Sequence, residues 1–172
     1  MIGRPEPNEA APNYFKYIDQ IEGTDILKIL SQQLEDAMGF FSAVSEEASL
    51  YSYARDKWSI RQVLNHVTDT ERAFAFRALW FARGFTTPLQ SYDADTAAAG
   101  ARANAVQWEA HVEEFERVRL STLSLFRNMP EEAWLRTGIA SDNLFSVRAL
   151  AFVIAGHAEH HIQMIRKKYL SL

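Results

Sequence analysis

Apolar residues recur at three- and four-residue spacing in four separate stretches of the chain, the period of an amphipathic helix. Ile26, Leu27, Leu30, Leu34, Met38 and Phe41 make the first and predict a helix over about 25–44, opened at Gly23-Thr24 and left through Ser45-Glu46-Glu47. Ile60, Val63, Leu64, Val67, Phe74, Ala78 and Phe81 make the second, predicting a helix over about 59–83. Its start is well marked. Ser59-Ile60-Arg61-Gln62 fits a capping box, Trp58 and Val63 fit a hydrophobic staple, and Gly84 is a natural stop. Val106, Val112, Phe115, Val118, Leu123 and Phe126 predict a third helix over about 104–128, capped by Asn104. The fourth, over about 146–170, begins at Ser146 and turns Val147, Leu150, Ala151, Ile154, Ala158 and Ile165 to one face.

The first two dozen residues read as an extended arm (1–23) held by Tyr14, Phe15 and Tyr17. Residues 84–104, GFTTPLQSYDADTAAAGARAN, have no steady apolar period and predict a long loop, the kind that often walls a site. A short helical turn is expected around Glu131–Trp134, and only Trp134 to Ile139 hints weakly at a strand. Four long amphipathic helices in 172 residues predict one all-α domain spanning 1–172, a four-helix bundle.

Composition narrows the chemistry. The chain has no cysteine, which removes disulfides, thiolate metal sites and a cysteine nucleophile. Its net charge is −4 with scattered basic residues, so no nucleic-acid partner is expected. The N-terminal stretch lacks the apolar core of a secretory signal, and no run is long enough to cross a bilayer, so a cytoplasmic protein without membrane contact is expected.

Three of the five histidines lie in GHAEHHIQMIRKKY, within the fourth helix. At about 100° per residue from Val147, His161 falls at about −40° and His157 at about −80°, on or beside the apolar stripe, while His160 at about −140° turns away. His157 and His161, four apart, can converge on one metal ion. His66, on the flank of the second helix's inner face, is the candidate third ligand. His111, among Glu109, Glu113 and Glu114, reads as a solvated surface residue. Three imidazoles around a divalent ion leave an open position, the catalytic pattern, and zinc, nickel, iron or manganese would all suit them.

The segment KWSIRQVLNHVTDTERAFAFRALWFARG, the loop SYDAD and the C-terminal GHAEHHIQMIRKKY together resemble the DinB/YfiT-like superfamily over nearly the whole chain. That family's pattern is one histidine in the second helix and a His-x-x-x-His pair in the last. His66, His157 and His161 match those places. The resemblance implies an up-down bundle with a long crossover loop between helices 2 and 3, a divalent metal (zinc or nickel) on these three histidines, and a homodimer. Some relatives are thiol transferases using bacillithiol, mycothiol or glutathione.

The expected activity is therefore metal-dependent chemistry on a small molecule. Transfer of a low-molecular-weight thiol is placed slightly ahead of hydrolysis, and a non-enzymatic metal-binding stress module is the third reading. Tyr92, Asp93 and Asp95 in the long loop could serve as proton carriers, but read first as ordinary loop and turn residues. Arg77, three turns from His66 on the same flank, either greets an anionic substrate or pairs with an acid on the next helix. Trp58, Trp80, Trp108 and Trp134 read as packing. Phe76, Trp80 and Phe85 fall outside the inner stripe and form the candidate dimer surface.

Overall fold

The computed structural model describes residues 2–170. Its frame is four long helices: α2 (Ile26–Ser42), α3 (Ile60–Ala82), α5 (Trp108–Arg127) and α6 (Val147–Lys168), preceded by the single-turn α1 (Phe15–Ile18), with the shorter α4 (Ala94–Ala101) between α3 and α5. Each expected apolar series faces inward except at Val106, which precedes α5 and is 40% exposed. Leu30, Phe41, Ile60, Leu64, Phe81, Phe115, Phe126, Leu150 and Ile154 are all at most 2% exposed.

The caps act as the sequence predicts in three places. The Ser59–Gln62 capping box is reciprocal, with Gln62 N donating to Ser59 Oγ and Ser59 N to Gln62 Oε1. Ser146 caps α6 by accepting from Ala149 N. Gly84, at φ +82, ends α3 in the left-handed conformation that favours glycine.

α3 packs against α6 and α5, and α2 against α5 and α6. α3 and α5 run parallel: Arg61 reaches Val106 O near their starts, and Arg72 reaches Glu114 further along. Among the described residues no helix is long and apolar enough to cross a membrane.

Four expectations need correction. Residues 84–104 are not all loop, since Ala94–Ala101 is helical; Asp93 caps it, and its alanines leave only Ala98 buried, so no apolar period announced it. The third helix begins at Trp108, not beyond a cap at Asn104. Ala103–Ala105 forms a separate 3-10 turn, and Asn104 Oδ1 instead accepts from Ser59 Oγ. The chain is not wholly helical either: β1 (Thr137–Ala140) and β2 (Asn143–Ser146) form an antiparallel hairpin. Its turn residues Ser141 and Asp142 sit at φ +51 and +59, the two-residue turn normally written with Asn-Gly, so its usual signature is missing.

The arm, finally, is folded rather than extended. A 3-10 turn at Pro12–Tyr14 leads into α1, which packs on α6. Gly156 makes this possible, because a Cβ there would stand 2.1 Å from the carbonyl oxygen of Tyr17. Glu9 fastens the same arm by accepting from Arg148 Nε and Ser146 Oγ.

Inside the bundle Arg119 is fully buried and Glu71 is 2% exposed. The guanidinium donates to both Glu71 oxygens and to Gln33 Oε1. Arg119→Met would leave the Glu71 carboxylate buried without its partner and should cost about 3–5 kcal/mol in chemical denaturation. Arg119→Met/Glu71→Leu should regain most of that loss; equal losses in single and double variants would show that packing, not the stranded charge, sets the cost.

Candidate metal centre

His66 lies in the second turn of α3, and His157 and His161 in the middle of α6, one turn apart. The antiparallel packing of the two helices brings the three rings together, with centroids 4.5–4.9 Å apart. His157 Nε2 stands 3.1 Å from His66 Nε2 and 3.1 Å from His161 Nε2. Hydrogen bonding does not explain this convergence, because one ring nitrogen carries either one proton or one lone pair for two neighbours. A metal ion does explain it. Nitrogens bound at 2.0–2.1 Å and spread at tetrahedral angles stand about 3.3 Å apart. His66, His157 and His161 could thus hold one ion, and the donor set fits it.

Burial tunes the three rings. It pushes the His66 imidazole below its ordinary value, although the charges of Asp69 and Asp95 pull the other way. It pushes His157 well below, helped by its histidine neighbours, and takes His161 down to about 3. All three are neutral at pH 7, with lone pairs ready for a cation. Aromatic rings wall the cluster: Trp58 lies 5.0 Å from His66, and Tyr17 and Phe74 lie 5.3 and 6.5 Å from His157. Thr70 Oγ1 is 3.4 Å from His66 Nδ1, whereas His161 Nδ1 is buried without a hydrogen-bond partner among the described residues.

The other candidates separate cleanly. His160 is exposed and packs its edge on Tyr17, 5.6 Å between centroids. His111 is not solvated: it is 3% exposed, and its Nε2–H donates to Ala103 O, because the 3-10 turn folds over it. Asp93 is the α4 cap, a turn role as first read, and Tyr92 is exposed. Arg77 does not pair with an acid; it donates to Gln90 O and Ser141 Oγ. Tyr17 is the neighbour the sequence did not reveal. Its one available signal was Gly156, a glycine in mid-helix directly before His157.

The sequence model of the DinB superfamily matches residues 29–165, which include all three histidines. The chain belongs to the DinB superfamily. Among solved structures, it is similar to YfiT from Bacillus subtilis, described as a probable metal-dependent hydrolase with an unusual four-helix bundle topology. The two share 15% identity and a TM-score of 0.71, over 97% of this chain and 91% of that one, a likeness of fold. No curated protein matches the chain. The arm bearing Tyr14 and Tyr17 precedes the span that the DinB model matches.

In the metal-free protein the depressed values make stability depend on pH. The unfolded histidines take up protons as pH falls through about 6.5, while folded His161 resists until about 3. Unfolding thus binds protons in this window, so the contribution is full above pH 6.5 and is lost progressively towards pH 3. The urea midpoint of the metal-free protein should fall between pH 7.5 and 5, and fall less in His157→Gln/His161→Gln. Equal pH slopes would mean that the cluster does not carry this dependence.

Proposed function

We propose that this DinB protein is a metal-dependent hydrolase of small molecules, with His66, His157 and His161 as the ligands of one divalent ion, zinc or nickel. The convergence of three neutral imidazole nitrogens, with no carboxylate among them, is the observation that carries this reading. When bound, the ion would supply Lewis-acid polarisation and a water made acidic near neutral pH. The chain's own residues supply the rest. Neutral ligands leave the ion's double charge undiminished, and Trp58, Phe74 and Tyr17 limit water around the rings. With the Asp93 carboxylate engaged as a cap, Asp95 and Asp69 are the carboxylates whose charge reaches His66, and they are the candidates to accept a proton. Hydrolysis is placed first because the similar YfiT structure is described in those terms. Thiol transfer, placed ahead of it on the sequence, draws no specific support from the site's geometry.

Purified protein should carry one divalent ion per chain, and His66→Ala, His157→Ala or His161→Ala should each lower metal content at least tenfold. His160→Ala and His111→Ala should keep it. Metal-loaded protein should cleave ester or amide probes at a rate abolished by chelation and by His157→Ala. A rate that appears only when bacillithiol, mycothiol or glutathione is added would replace hydrolysis by thiol transfer. A fully loaded protein inert in both assays would overturn the enzymatic reading in favour of a metal-binding module.

The same proposal includes a homodimer. Phe76 and Phe85 are each about half exposed, and Trp80 joins them in one aromatic ladder, stacked on Phe85 at 4.2 Å. An exposed apolar face of this kind commonly marks an interface. Light scattering should give twice the chain mass at micromolar concentration, reverting to the monomer mass in Phe76→Glu/Phe85→Glu. A monomer mass in the unmodified protein would remove the dimer.

A further inference from the structure

Among the described residues, four arginines have their guanidinium groups largely withdrawn from water, and three of them face a carboxylate. Arg119 lies on Glu71, Arg61 on Glu46 and Arg148 on Glu9. Arg77 is the exception. It is 5% exposed, yet its Nη2 donates only to neutral acceptors, Gln90 O at 3.1 Å and Ser141 Oγ at 2.8 Å. Its Nε and Nη1 donors have no hydrogen-bond partner among the described residues, yet neither is fully covered, so both remain open to a ligand. A cation withdrawn from water without a counter-charge is costly, and the Phe74 ring beneath it, 5.4 Å from Cζ, compensates only in part. Burial accordingly weakens its hold on its proton.

The position of this stranded charge gives it meaning. The Phe74 ring that carries the guanidinium is the same ring that flanks His157 at 6.5 Å. Cation and imidazole both touch this one aromatic side chain and are therefore no more than about 12 Å apart. Tyr14, from the arm, feels the Arg77 charge and closes the same corner, its ring 6.2 Å from Phe74. Gln90 and Ser141 hold the guanidinium from the long connection and from the hairpin turn, elements that contribute no metal ligand.

We propose that Arg77 is the specificity residue of the site and that the substrate is a small anion, a carboxylate in the first instance. Its charge is met by Nε and Nη1 of Arg77, while its reactive carbon lies over the three-histidine end. An anion completes the pairing that the fold withholds, and the Phe74 ring sets the separation between the two ends of the molecule. Arg77 touches the anion rather than the reacting carbon, so it selects substrates without taking part in bond cleavage. This assignment rests on the hydrolase reading above for the chemistry, but not for the anion.

Binding of butyrate and of its neutral counterpart butyramide is measured by NMR titration, first on metal-free protein, since a carboxylate can also ligate an ion. Butyrate should shift resonances of Phe74 and Tyr14, bind at least tenfold more tightly than butyramide, and lose that advantage in Arg77→Gln. Arg77→Lys, which keeps the charge, should retain part of it. Metal content should be unchanged in both variants, and Ser141→Ala, which removes a tether but no charge, should still prefer butyrate. Equal binding of the two probes to the unmodified protein, or an undiminished preference in Arg77→Gln, overturns the assignment. If Arg77→Gln does not fold, the probe comparison on unmodified and Arg77→Lys protein decides it. Selective anion binding without ester or amide turnover would leave Arg77 standing and overturn the hydrolase reading. Turnover indifferent to substrate charge would do the reverse.

Discussion

All four long helices meet at one guanidinium and the amide beside it. Arg119 of α5 grips Glu71 of α3 and the side-chain oxygen Oε1 of Gln33 in α2, while Gln33 Nε2 donates to Ala155 O of α6. Apolar packing alone leaves helices free to slide against one another by a turn, because many registers bury similar area. A buried charged group admits few arrangements that satisfy every donor, and so fixes one level for all four. That level is the one the site needs. Ala155 lies two residues before His157, and Glu71 lies five after His66. A shift of one turn would carry the single histidine of α3 past its two partners on α6.

The frame was legible because it is written in local chemistry. The apolar period, the Ser59 capping box, Gly84 and Ser146 each act within a few residues, and they located α2, α3 and α6 to within a residue or two. The helical wheel also separated His157 and His161 from His160, since a side chain's face is a property of its own helix. What was missed depends on partners distant in sequence. His111 is buried by a turn that precedes its helix, and nothing in the helix's own periodicity encodes that cover. α4 and the hairpin escaped for a different reason. One is helical through alanine propensity without an apolar stripe, and the other turns on Ser141-Asp142 without glycine. The sequence leaves Arg77 two alternatives, and the structure removes one of them, because the surrounding loops offer it neutral acceptors and no acid.

The electrostatics of the interior follow one logic. Where the bundle buries a cation it generally supplies the anion, and where it buries imidazoles it holds them neutral. The histidine cluster is thus a set of lone pairs kept free of protons by burial, with no carboxylate among the three converging side chains. Arg77 breaks the pattern within one aromatic ring of that cluster. Free lone pairs and an unpaired guanidinium, both beside the Phe74 ring, are two interior features that no ion pair among the described residues accounts for.

The contact between Tyr17 and Gly156 has a consequence for how the protein is made. The arm's seat is α6, and the bonds of Glu9 to Arg148 span 139 positions of the chain. On the ribosome the arm emerges well before its partner, and it cannot dock until α6 has followed. Contacts of such long sequence separation are slow to form, because a long loop must close before they bring any gain. Tyr17, one wall of the histidine cluster, is therefore synthesised well before α6 and reaches its place only after it. The site has all its sides only once α6 has been made.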